Sequence, residues 1–199
     1  MPLACGVALK EWAATGDALA SGEQIILLRK GGILDEDGVF HLEHRAFWLL
    51  PTYEHQDITL VKPPYQATVA ASRPQPGENR DFVLLRLWAR VERVWALHEA
   101  DEDALRAATH IWSGNYLDLR FSYKPERPLL CAALRVYALP HAHRIEMQRE
   151  FTGCRSWIEL RESLTLAGAQ PALSDEEFGA QLAALAALLP GSEALSLES

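Results

Sequence analysis

Residues 82–97 read FVLLRLWARVERVWAL, and their pattern decides the fold. Val83, Leu85, Leu87, Ala89 and Val91 alternate with Leu84, Arg86, Trp88, Arg90 and Glu92. A period of two marks a β-strand with one apolar face and one mixed face. Residues 130–139 repeat the pattern: Leu130, Ala132, Leu134 and Val136 fall on one side, Cys131, Ala133, Arg135 and Tyr137 on the other. Between these strands, Asp101 is placed to cap a helix over 102–112, with Glu102 and Asp103 favourable in its first turn.

Working outward, Ile25, Ile26, Leu27 and Leu28 predict a strand over 23–28 that is buried on both faces. Asp37-Gly38, between Ile33-Leu34 and Val39-Phe40, signals a hairpin, because such turns need positive φ. Residues 47–53 form a third apolar run, and Pro51, lacking a donor, puts it at a sheet edge or at its own end. Residues 3–20 read as a helix with Leu3, Val7, Trp12 and Leu19 on one face, stopping at Gly22. Four prolines (Pro63, Pro64, Pro74, Pro76) make 63–80 a linker, long enough to serve as a lid. Ser174-Asp175-Glu176-Glu177 is a capping box for a helix burying Phe178, Leu182, Leu185 and Leu188 or Leu189.

The expected class is α+β: a mixed or antiparallel sheet with an N-terminal helix and a C-terminal helix. Residues 1–170 are expected to form one domain, its halves 1–62 and 81–168 joined by the linker, with an acidic helix and tail over 171–199.

Apolar content of 49% and charge of 23% over 199 residues suit a folded core and exclude wholesale disorder. Of the 27 acids behind the net charge of −8, six lie in 162–199, where there is no Lys or Arg. That leaves 21 acids against 19 bases in the body, so whole-chain acidity does not exclude an anionic partner. Cys5, Cys131 and Cys154 form neither a disulfide framework nor a zinc pattern. No apolar run approaches the ~20 residues of a membrane helix, and no leader pattern opens the chain. The expectation is a cytoplasmic protein without membrane contact; the sequence sets no oligomeric state.

Four motifs recur together. Arg29-Lys30-Gly31-Gly32-Ile33, Pro51-Thr52-Tyr53-Glu54-His55-Gln56, Leu134-Arg135-Val136-Tyr137 and Gly153-Cys154-Arg155-Ser156-Trp157, in this order, resemble a bacterial family known as domain of unknown function 1802. The similarity spans roughly residues 7–161. It implies a compact single-domain protein and brings no catalytic residues with it.

The same motifs hold the chemistry. Arg29 and Lys30 beside two glycines allow charge and backbone amides to converge on an anion, or simply end a strand at a turn. In an extended segment Glu54 and Gln56 share a side, with His55 opposite. Glu11, the acids at 35–37 and Glu54-x-Gln56 are similar in order to metal-dependent nucleases of the PD-(D/E)xK superfamily, with Gln56 where those have Lys. Arg155, Ser156 and Trp157 suit phosphate binding and base stacking, or a turn in which Trp157 plugs the core. His141-x-His143 has metal-ligand spacing but fits a surface loop better. Arg86 and Arg90 around Trp88 suit single-stranded nucleic acid, or a sheet face whose arginines snorkel.

Three readings follow. The first is a polar cleft binding an anionic ligand, nucleic acid or nucleotide, without a cofactor. Its binding residues would be Arg29, Lys30, Tyr53, Gln56, Arg135, Tyr137, Arg155, Ser156 and Trp157, with His55 adding charge. The second is a nuclease in which Glu54, His55 and Lys30 act and Mg²⁺ is required. The third is an interaction scaffold whose polar groups satisfy one another. Whether the chain is an enzyme stays open among them.

Overall fold

In the computed structural model, the residues described are 2–30, 44–53, 56–72, 81–152, 156–189 and 193–194. The sheet runs β2 (Ile26–Arg29), β5 (Leu129–Glu146), β4 (Phe82–Leu97), β3 (Ala46–Thr52), β1 (Ala4–Trp12) and β6 (Trp157–Thr165). β1 and β3 are parallel, and every other neighbouring pair is antiparallel. Two-residue strands β7 (Gln170–Pro171) and β8 (Glu193–Ala194) extend the sheet from β5 and β4. The helices are α1 (Ala13–Ser21), α2 (Pro63–Ser72), α3 (Glu102–Ala107), α4 (Gly114–Ser122) and α5 (Asp175–Leu188). The α+β class and mixed sheet are as expected.

The N-terminus corrects the sequence reading. It opens with strand β1, and the helix begins only at Ala13. Ala8 and Leu9 are adjacent yet both buried, in different core clusters, which a strand covered on two faces requires. Pairing with β3 and β6 overrides the helical spacing of the local apolar residues. The helix does stop at Gly22, whose φ of 75° is left-handed and whose N–H bonds to Leu19 O.

The proline-rich segment also differs. Residues 63–72 form α2, because Pro63 and Pro64 occupy a first turn where no N–H partner is needed. The helix expected over 102–112 ends at Ala107, and α4 follows with the Ser113 hydroxyl accepting from Tyr116 N. His141 and His143 lie within β5 rather than in a loop, and His143 Nε2 donates to Thr165 O at 2.9 Å. The Asp37-Gly38 hairpin lies outside the described residues. The α5 capping box forms as read, and Phe178, Leu185 and Leu189 are buried.

β4 holds a register shift between Leu85 and Leu87. One inserted residue exchanges the two faces of everything beyond it. Val83, Leu85 and Trp88 therefore share one core cluster, while Leu87, Ala89 and Val91 belong to another. Trp88 is fully buried, so it does not interleave with Arg86 and Arg90 on an exposed face.

Among the described residues, three clusters make the core. One fills the curl of β1, β3, β6, the first half of β4 and the second half of β5, around Trp48, Leu85, Trp88 and Leu139. A second packs the helices onto β2 and the other halves of the long strands, around Leu28, Trp95, Trp112 and Phe178. The third lies on the opposite sheet face, around Phe47, Val91 and Leu134.

Candidate ligand cleft

Among the described residues, the cations named from sequence, Arg29, Lys30 and Arg135, do not meet. Arg29 Nη2 donates to Lys10 O at 2.5 Å and to Glu11 Oε2 at 2.8 Å, a half-buried ion pair at the end of β1. Its neighbour Lys30 goes elsewhere: Nζ donates to Phe121 O at 2.8 Å, in the last turn of α4. Arg135 is buried beneath the start of α5, donating to Ser174 O at 3.0 Å and Asp175 Oδ1 at 2.6 Å, with its guanidinium over the Phe178 ring. It links strand to helix.

The remaining residues divide similarly. Gln56 is buried, and its Oε1 accepts from Ala14 N at 3.4 Å, serving the first turn of α1, where Trp12 offers no side-chain cap. Tyr137 packs against Trp88, with ring centroids 5.3 Å apart. Trp157 meets Phe47 edge-on at 5.0 Å, so it packs into the sheet, at the start of β6. Ser156 lends its backbone carbonyl to Lys10 N. Glu54, His55, Arg155 and the acids at 35–37 lie outside the described residues. Among the described residues, no group of three or more His, Cys, Asp or Glu is arranged to hold a metal.

Tyr53 is the exception: it opens onto a cleft. A cavity of about 250 Å³ lies between α1, the end of β3 and the start of β4. Ala13, Gly16, Asp17 and Ala20 line it at helical spacing, so α1 offers it a wall of small side chains with one carboxylate. Leu49, Pro51 and Tyr53 of the β3 end form the facing wall, and Trp12 and Glu11 close the inner side. Arg86 and Leu87 come from β4 at the register shift, which turns that stretch of strand.

Electrostatically the cleft is mixed. Glu11 is already engaged by Arg29. Asp17 is exposed, yet the desolvation its carboxyl does suffer raises it above the ordinary carboxylate range, and the Arg86 charge pulls it partly back. Arg86 itself is exposed and has no ion pair among the described residues. Beyond it on the same strand stand exposed Leu84 and Phe82, with the Arg144 guanidinium 4.1 Å from the Phe82 ring centre.

Of the residues named from sequence as candidates, Tyr53 lines this cleft; Trp12, Gly16 and Asp17, which line it too, were not among them. The signal was the spacing 13, 16, 17, 20, hidden because the helix was expected to start ten residues early. Arg86 was named for the wrong company, Trp88 and Arg90. The structure buries the first and pairs the second with Glu92 at 2.6 Å.

The chain belongs to the family described as Domain of unknown function (DUF1802), matching it over residues 8–184. No curated protein matches the sequence. Among solved structures, a crystal structure of ASCH from Zymomonas mobilis is similar at 11% identity and a TM-score of 0.42, covering 94% of this chain and 95% of that one.

Proposed function

We propose that the chain is a binding domain for an anionic ligand with a flat apolar part, a nucleotide or nucleic-acid strand, held in the cleft between α1, β3 and β4. The observation that carries this reading is an exposed Arg86, in no ion pair among the described residues, beside a cavity walled by Trp12, Tyr53 and small side chains. The cavity is at the small end of ligand sites, about the size class of one compact molecule or one base. Arg86 offers a fork of donors to a phosphate, and the ring faces offer stacking surface that tolerates any base. Asp17 gives an acceptor for a base amino group while setting a limit on negative charge nearby.

The test is fluorescence anisotropy with labelled single-stranded RNA and DNA, and calorimetry with a mononucleotide, each with and without chelator. Arg86→Gln removes one charge-assisted contact worth about 1.5–3 kcal/mol and should weaken binding about tenfold or more. Asp17→Asn should tighten it. Oligonucleotide affinity should fall as salt rises and ignore chelator. Equal affinity in wild type and Arg86→Gln would end this assignment, and cleavage dependent on Mg²⁺ would replace it with the nuclease reading.

A further inference from the structure

A second cavity, of about 280 Å³, opens where β2 and β4 end beneath α3 and α4, on a different part of the sheet from the first. Lys30 lines it and is only 7% exposed. An ammonium carries three N–H donors, and among the described residues Lys30 Nζ has one hydrogen-bond acceptor, Phe121 O. The Phe121 ring face, 5.8 Å away, adds a weak attraction. Burial lowers the Lys30 pKa and the Glu126 charge opposes that. A cation this enclosed, with donors to spare, is an incomplete arrangement that a bound anion would complete.

The cavity's other charged side chains are Glu99, Glu102, Asp118 and Arg127, and all but the first are engaged. One nitrogen of Arg106 (Nη2) bonds both Glu102 of α3 and Asp118 of α4. Its other terminal nitrogen lies where a Cβ on Gly114 would come within 2.8 Å, so a glycine at the start of α4 gives the clamp its room. Glu99 also lines the cavity, is exposed, and has no ion pair among the described residues. The cavity thus presents a buried cation and an exposed acid, neither in an ion pair among the described residues.

We infer that this cavity binds a small zwitterionic amino-carboxylate, in the simplest case a free α-amino acid, with its carboxylate on Lys30 and its ammonium on Glu99. A phosphate dianion would leave Glu99 without a cation and beside a like charge, and a simple amine would leave Lys30 as it is. The site is independent of the α1 cleft.

The experiment is calorimetric titration of the full chain with each standard α-amino acid, and then with the N-acetyl and methyl-ester forms of any that binds. At least one free amino acid should bind, and blocking either end should weaken it at least tenfold. Glu99→Gln, at an exposed position, should fold normally and lose at least tenfold, whereas Lys30→Met should abolish binding. Should Lys30→Met fail to fold, Glu99→Gln and the blocked ligands decide the matter alone. Arg86→Gln should leave this binding unchanged. No binding by any amino acid, equal binding of the N-acetyl form, or full affinity in Glu99→Gln would overturn the inference.

Discussion

Acid should unfold this protein in part through one imidazole. His110, between α3 and α4, is 3% exposed, and its Nε2 donates to Leu105 O at 3.0 Å. Burial, reinforced by the Lys62 charge, holds its pKa at about 4 against an ordinary 6.5, with backbone hydrogen bonding to Leu105 and Trp112 opposing in part. The unfolded chain takes up a proton as pH falls through 6.5, and the folded chain resists until about 4. Within that window the unfolded state holds more protons, so stability falls as pH falls and is complete above the window. At 1.36 kcal/mol per pKa unit the loss is about 3 kcal/mol, a large share of the 5–15 kcal/mol that a domain has. Urea unfolding of wild type and His110→Gln at pH values between about 7 and 4 measures it. The glutamine amide can still donate to Leu105 O but does not titrate, so its pH slope should be shallower by that amount. Parallel slopes, or a native imidazole titrating near its ordinary value by NMR, would refute the reasoning.

Two further stability predictions concern the joints of the fold. Arg135→Met removes the donor to Ser174 O and should cost about 1.5 kcal/mol, seen as faster hydrogen exchange in α5. Asp175→Asn should change little, because that carboxylate is fully exposed. Gly22→Ala must hold a left-handed backbone, costing about 1–2 kcal/mol, and its Cβ would come within 2.4 Å of Leu173 Cδ2. Its urea midpoint should fall clearly; an unchanged midpoint would show that the turn relaxes freely.

Where the sequence was legible, short-range physics was in charge. The Ser174–Glu177 box and the Gly22 stop are local chemistry, and both appear as read. The strands 82–97 and 130–139 showed their period directly, although β5 runs on to Glu146. The failures are long-range. β1 carries residues with good helix propensity and becomes a strand because β3 and β6 flank it. No local signal marks the register shift at Leu85–Leu87, yet it decides that Trp88 faces the core and that Arg86 is left at the cleft. The four motifs were read as one site because their chemistry matched. The sheet order instead sends Arg29, Lys30 and Arg135 to three different partners, Glu11, Phe121 and the start of α5. Side-chain type suggested binding, but only strand order could say which cations remain available.

Gly16 brings stability and function into direct opposition. It lies inside α1, where glycine costs roughly 1 kcal/mol relative to alanine. Packing does not demand it: a Cβ there would sit 3.6 Å from Leu87 Cδ1, an ordinary contact, and the φ is not left-handed. What a Cβ would do is enter the cleft wall between Ala13 and Ala20. Gly16→Ala should therefore raise stability by about 0.5–1 kcal/mol, while Gly16→Leu, still a good helix former, should fill the cavity. If the cleft is the binding site, nucleotide affinity should fall stepwise from Gly to Ala to Leu as the fold holds or strengthens. A structural glycine predicts the reverse, with both variants less stable and the remaining folded protein binding as before. Denaturation and calorimetry on the same three proteins separate the two, since one mechanism moves stability and affinity in opposite directions and the other moves stability alone.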